Sequence, residues 1–430
     1  MRAQGWEAIL ALASLGWGAA LGAVAPPGSL KTVPIPRPTK QAIVGKSRGG
    51  THDLADFIPP DKEAAAIRLG KALFWDLQVG SEGTVACASC HFHAGTDSRT
   101  TNTLNPGPNA AFDVVPRPNR TLTRDAYPFR KLVNPEFRPG DPLNLGRSFE
   151  ISDADDVAGS QGVPFTRFLG VVSGNAADLG RPVPDHKFQV DRRNVHRVTG
   201  RNTPTVINAV FNFANFWDGR ANHFFNGVNP FGPQDANARV WDNAGGTLAP
   251  VRVLLSNSSL ASQAVGPPGS DVEMSWAGRT FPDIGKKMLS LAPLAKQIVH
   301  PGDSVLGSIA KSNISGDPKA KGLAASYVDM LQAAFDPRWW GNTSQHLTRN
   351  SDGSFSTADG PANPADPKQF SQAEVNFSLF FGLAVQMYES TLVSDDTPFD
   401  RFITGDTTAL TPRQQEGFLT FQGIDTNCTF

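Results

Sequence analysis

The chain has 430 residues, 40% of them hydrophobic and 18% charged, which is enough apolar material for a large core and for two or three domains. Its 39 Lys and Arg balance 40 Asp and Glu, so charge gives no reason to expect nucleic acid or an anionic membrane as partner. Three Cys exclude a disulfide framework, and 41 Gly with 34 Pro imply long, specifically shaped loops.

Residues 1–25 read as an export signal. Arg2 supplies a small basic start, residues 8–22 are apolar without a charge, and Ala23-Val24-Ala25 forms a small-residue cleavage end. Cleavage after Gly22 fits equally well, because Pro26 is a poor new N-terminus. The apolar run is short for a membrane span, and no later run is long enough to cross a bilayer. An exported, periplasmic protein is expected.

Residues 26–60 carry repeated Pro and scattered basic residues, and read as an extended linker. Asp61 is placed to cap a helix over 62–74, after which Gly80 and Gly83 lead into Cys87. Residues 100–190 look loop-like, and so long an irregular stretch is usually functional or an insertion. An apolar pattern resumes over 206–216, followed by a second loop-rich stretch over 226–270. Helices are expected over 282–299, 322–335 and 411–423, and most clearly over 372–392. There Phe377, Phe380, Phe381, Ala384, Val385 and Tyr388 share one broad face. Residues 341–369 read as loop, no strand-like alternation persists, and no solenoid-length repeat is present. The expected class is mainly α with long loops.

Cys87-Ala88-Ser89-Cys90-His91 carries the chemistry. C-x-x-C-H sets two thiols one helical turn apart, where they can add to the vinyl groups of a haem while the adjacent His reaches the iron. A zinc site would need four ligands, and Cys87, Cys90, His91 and His93 are crowded together with no distant second pair. A redox dithiol would want a βαβ context, which the pattern lacks. The third cysteine lies in Cys428-Thr429-Phe430, which reads either as a lone thiol or as the opening of a second haem motif.

A set of blocks decides between these. Leu69 to Asp76 (LGKALFWD), Cys87 to His91, Arg201 to Asn208 (RNTPTVIN) and Phe216 to Ala221 (FWDGRA) resemble the bacterial di-haem cytochrome c peroxidase family, which includes MauG-like enzymes. Val272-Glu273-Met274, Glu389-Ser390-Thr391-Leu392 and Thr397 to Phe402 are similar too, so the resemblance spans most of residues 61–430 in order. In that family a run like 417–427 leads into the second C-x-x-C-H, so Cys428 is read as its first cysteine, with the motif cut through. Cys87 and Cys428 lie further apart than in the compact peroxidases, and the extra length sits in 100–190, 226–270 and 341–369. The chain therefore looks like an enlarged member of that family.

The resemblance implies cytochrome c-like haem domains with long loop insertions. The organisation is then signal (1–25), linker (26–60), N-terminal haem domain (61–395) and the start of a C-terminal haem domain (396–430). It implies two haem c groups in the complete protein, hydrogen peroxide as substrate, and electrons from a small cytochrome or cupredoxin. A homodimer stays open.

Each implied role has a plainer competitor. His91 is expected to be the proximal iron ligand, as the C-x-x-C-H motif itself implies. His196 is nearest to the place of the displaceable distal ligand, although the spacing matches poorly and a solvated loop His fits as well; His186 is a weaker choice. Glu273 stands where the family carries its distal acid–base carboxylate, against a solvent-facing Glu at a helix start. Trp217 matches the Trp between the haems, against simple core packing, and Asp218 and Arg220 read as an ion pair or a propionate contact. Asn202 matches a calcium-binding position, against an ordinary turn former. Two other functions remain open from sequence: an electron-transfer cytochrome without peroxidase activity, or a MauG-like or haem oxygenase enzyme acting on an organic or protein substrate.

Overall fold

The computed structural model describes residues 28–40, 52–101, 103–115, 117–127, 129–132 and 150–422, so the export signal and Cys428 lie outside the described residues. The chain divides into two compact units, Pro36–Leu392 and a smaller one formed by Met1–Ile35 with Val393–Phe430. Eleven α-helices stand among the described residues: α1 (Leu54–Phe57), α2 (Glu63–Trp75), α3 (Cys87–Cys90), α4 (Ser259–Ala264), α5 (Phe281–Met288), α6 (Lys311–Ile314), α7 (Tyr327–Ala334), α8 (Gln372–Val375), α9 (Phe377–Glu389), α10 (Pro398–Ile403) and α11 (Pro412–Gln422). The strands are short and pair antiparallel, so the expectation of a mainly α fold holds at that level.

The larger unit is built around α9, all of whose residues are buried. A helix apolar on every side has no solvent face to offer and must sit in the centre. Helix α8 delivers it, opened by a reciprocal cap in which Ser371 N–H donates to Glu374 Oε2 at 2.7 Å and Glu374 N–H donates to Ser371 Oγ at 3.3 Å. Helix α2 crosses α9 backbone to backbone at Gly70, where a Cβ would lie 1.8 Å from the Ala384 carbonyl oxygen. Gln386 of α9 accepts from Ala261 N–H of α4 at 3.0 Å.

Asp76, fully buried at the end of α2, is a second organising point. It accepts from Gln78 N–H (2.8 Å), Leu294 N–H (2.7 Å) and the Tyr327 hydroxyl of α7 (2.7 Å). Those bonds explain why the helix expected over 282–299 stops at Met288. Pro293 and the left-handed Leu294 turn the chain so that its N–H reaches Asp76.

Two further expectations are corrected. Residues 26–60 are not simply an extended linker: Phe57 and Ile58 are core residues, Trp339 Nε1 donates to Asp56 O at 2.7 Å, and Thr39–Lys40 pairs with Leu255–Ser256. The stretches read as loop contain hairpins, Thr166–Gly170 with Leu179–Pro182, and Gln345–Arg349 with Phe355–Asp359 and Gln369–Phe370. Their strands are short and partly exposed on both faces, so little apolar alternation marks them.

In the smaller unit, Asp400 caps α10 through Thr397 and accepts from Ser29 Oγ at 2.8 Å and Leu30 N–H at 3.1 Å. Phe399 and Phe418 pack α10 against α11 with ring centroids 5.3 Å apart.

Candidate functional site

The site begins at a turn. Gly80 N–H closes on Val85 O at 3.0 Å, and Gly83 adopts φ +67, where a Cβ would meet the Ala176 carbonyl. Lys287 braces this turn by donating to Gly80 O at 2.9 Å and Ala176 O at 3.2 Å. It shares Asp178 with Arg279, and all three side chains are wholly buried. The turn sets α3, a single helical turn that starts at Cys87 and ends at Cys90.

His91 follows, and its Nδ1 stands 2.9 Å from the Pro204 carbonyl. A carbonyl only accepts, so Nδ1 carries the proton and donates, which leaves Nε2 with its lone pair free to bind a metal. Among the described residues Nε2 makes no hydrogen bond. Desolvation holds the imidazole below the ordinary histidine range and so favours the neutral ligand form, with the Pro204 bond acting in the opposite direction. His93 is exposed and in the left-handed region.

Glu273 is tied to the same place from two sides. On one, Ser81 N–H donates to Met274 O at 2.9 Å and Trp276 N–H to Ser81 Oγ at 2.8 Å, lying the 274–276 strip along the turn before α3. On the other, Gly162 passes so close that a Cβ would lie 1.8 Å from Val272 O, while its neighbour Gln161 places a carbonyl 3.7 Å from Cys90 Sγ. Arg279 locks the strip by donating to Pro268 O at 2.9 Å, Ser275 Oγ at 3.1 Å and Val79 O at 3.0 Å. Glu273 lines a cavity of about 320 Å³ with Phe216, Arg220, Phe231 and Val265. Burial raises its pKa, against the Ser270 hydroxyl and Arg220, and its charge is felt by both Cys87 and Cys90.

Phe216 to Arg220 form a tight turn closed by Asn215 N–H to Ala221 O at 3.0 Å. Phe216 and Arg220 face the cavity, whereas Trp217 is 81% exposed, with the Arg201 guanidinium 4.7 Å over its ring. Trp217 is therefore no core residue. Asp218 holds Arg201 and Arg220 together, each at 3.3 Å. His196 uses both ring nitrogens, Nδ1 with Gln161 Nε2 at 2.8 Å and Nε2 with Glu82 Oε2 at 3.2 Å. His186 lines a separate cavity, and Asn202 is exposed.

The donor set fits a covalently held haem better than the sequence-level competitors. Burial pushes Cys90 up to about 11 and Cys87 higher still, opposite to the lowered pKa of a reactive dithiol. Neither thiol, nor His91, belongs to a converging group of three ligand side chains among the described residues. A family profile described as di-haem cytochrome c peroxidase matches residues 64–130 and 178–408, which takes in every one of these residues except Gln161, Gly162 and Ala176. The chain belongs to the di-haem cytochrome c peroxidase family. It is also 26% identical over 229 residues to the cytochrome c551 peroxidase of Pseudomonas aeruginosa, a match covering 53% of this chain and 35% of that protein. The chain thus spans about a third of the length of the curated relative it matches.

Within this family member, sequence reading missed Pro204 as the carbonyl that orients His91, although it stands in the RNTPTVIN block. It missed Arg220 as a cavity wall beside Glu273, and Glu389 altogether. Glu389 ends the buried α9, is pushed up to about 8 by desolvation, and its field reaches Cys87. The Glu389-Ser390-Thr391-Leu392 block was its only signal.

Proposed function

We propose that this chain is an exported peroxidase that reduces hydrogen peroxide with electrons from a small cytochrome or cupredoxin. Cys87 and Cys90 would hold haem c, His91 would bind its iron through Nε2, and Cys428 would contribute to a second haem. The haem supplies the metal that binds peroxide and the electrons that split it. The chain supplies the proton management.

Glu273 carries this reading. A carboxylate in a cavity walled by Phe216, Phe231 and Val265 can take the proton from the near oxygen of peroxide and return it to the leaving one, a service worth about 10²–10⁴ in rate. Arg220 stands in the same cavity and favours the ionised form that begins the cycle. His196 must first leave Gln161 and Glu82 if it is to serve as the displaceable distal ligand. Trp217, exposed under Arg201, is available as a relay for electrons, and Asn202 remains the candidate calcium ligand.

Steady-state peroxide reduction with a reduced donor tests this. Glu273→Gln should lower turnover by about 10² or more while the covalent haem spectrum is unchanged. Unaltered turnover in that variant would remove Glu273 from the chemistry.

A further inference from the structure

Asp113, Asp155 and Asp156 each bring a carboxylate oxygen to one place, all within 4.8 Å of one another. Asp155 and Asp156 lie in the stretch between the two segments that match the family profile, so two of the three belong to this chain's insertion. Asp113 lies in the matched segment before it. The set shares no residue with Asn202 or with the site around His91.

The hydrogen bonds leave a specific deficit. Asp156 is 5% exposed, and its Oδ2 accepts from Asp113 N–H at 2.9 Å and Val114 N–H at 2.7 Å. Its Oδ1 is buried and receives no hydrogen bond. Asp155 repeats the pattern: Oδ2 accepts from Asn109 N–H at 2.9 Å, and Oδ1 is buried without a donor. A buried acceptor without a donor is costly, and three carboxylates in one cluster add repulsion. No Lys or Arg pairs with any of the three among the described residues. Two orphan oxygens in an anionic cluster call for a cation.

We propose that Asp113, Asp155 and Asp156 form a calcium site that clamps the insertion to the loop before it. The donors are all oxygen, with no His or Cys, which selects a hard cation over zinc or copper. Calcium accepts an irregular shell of six to eight oxygens, whereas magnesium demands near-ideal octahedral geometry and keeps much of its water. Backbone N–H groups pin one oxygen each of Asp155 and Asp156, fixing the others before the ion arrives.

The test uses the full-length, haem-loaded protein, stripped with a chelator and titrated with calcium chloride. Bound calcium per chain and the thermal midpoint are both read. Asp156→Asn should bind one calcium fewer per chain and lose the part of the calcium-induced rise in midpoint that this site supplies. An Asn carbonyl can still accept from Asp113 and Val114 N–H, so the variant keeps its loop. Asp113→Asn, at an exposed position, is the second variant and should weaken the same site at least tenfold. A wild-type protein that binds no calcium would overturn the proposal. So would a stoichiometry unchanged in both variants, or an equal response to magnesium at the same concentration.

Discussion

The protonation of Glu273 is set by the surfaces around it. Desolvation raises its pKa, while the Ser270 hydroxyl and the Arg220 charge pull it back. In the proposed role of proton acceptor Glu273 works when ionised, so peroxide turnover should rise with pH along a limb set above the ordinary carboxylate range. That limb should be missing in Glu273→Gln. In Arg220→Met the counter-charge is gone, so the limb should move to higher pH; a pH–rate profile of the three proteins checks both. Glu273 was legible because a short Val-Glu-Met block marks it. Arg220 was not, since the sequence shows it beside Asp218 and only the tight turn at Asn215 to Ala221 swings it to the cavity wall. Trp217 shows the converse, an aromatic that composition alone would bury and the same turn exposes. Trp217→Phe should therefore leave the unfolding midpoint nearly unchanged while slowing any electron transfer routed through it.

At the level of elements, two contacts carry testable weight. Gly70 lets α2 touch the α9 backbone, and Gly70→Ala would press a methyl onto the Ala384 carbonyl, costing about 1–3 kcal/mol at the upper end of overpacking. Urea unfolding of the variant checks it. Asp178 is the shared counter-ion of Arg279 and Lys287, which together hold the turn before α3 and the Glu273 strip. Asp178→Asn leaves the buried Arg279 without its carboxylate and should destabilise by about 3–5 kcal/mol. Burial, then Arg279, push Lys287 down to about 7, below its ordinary value near 10.5. Between those values the unfolded chain holds a proton that the folded chain has released, so stability rises with pH across that window. Lys287→Met should flatten that part of the stability–pH curve.

Legibility did not track burial: α11 was expected over 411–423 although none of its residues is buried. α9 was plain from its run of Phe, Leu and Ala, and α2 from Ala, Leu and Ile spacing. The end of α5 was hidden because it depends on Asp76, over two hundred residues earlier. The hairpins were hidden because short strands exposed on both faces have no period to read.

For the whole molecule, the family explains the shared frame, and the insertions distinguish this member. The family profile covers two separate stretches with the insertion between them, and the main unit runs from Pro36 to Leu392 across both. The described residues include no helix long and apolar enough to cross a membrane. If residues 1–25 are the export signal, a chain lacking them stays where haem is not attached to C-x-x-C-H. It should then show no covalent haem on a denaturing gel, whereas the full chain should. Haem on the shortened chain would refute the export reading while leaving the site intact.

The most direct measurement is a single turnover: the haem-loaded protein is fully reduced, mixed with hydrogen peroxide, and followed by its visible spectrum. Rapid reoxidation is expected, slowed about 10²-fold or more in Glu273→Gln with the same haem content. A reduced protein that peroxide does not reoxidise would contradict the peroxidase reading and leave an electron carrier in its place.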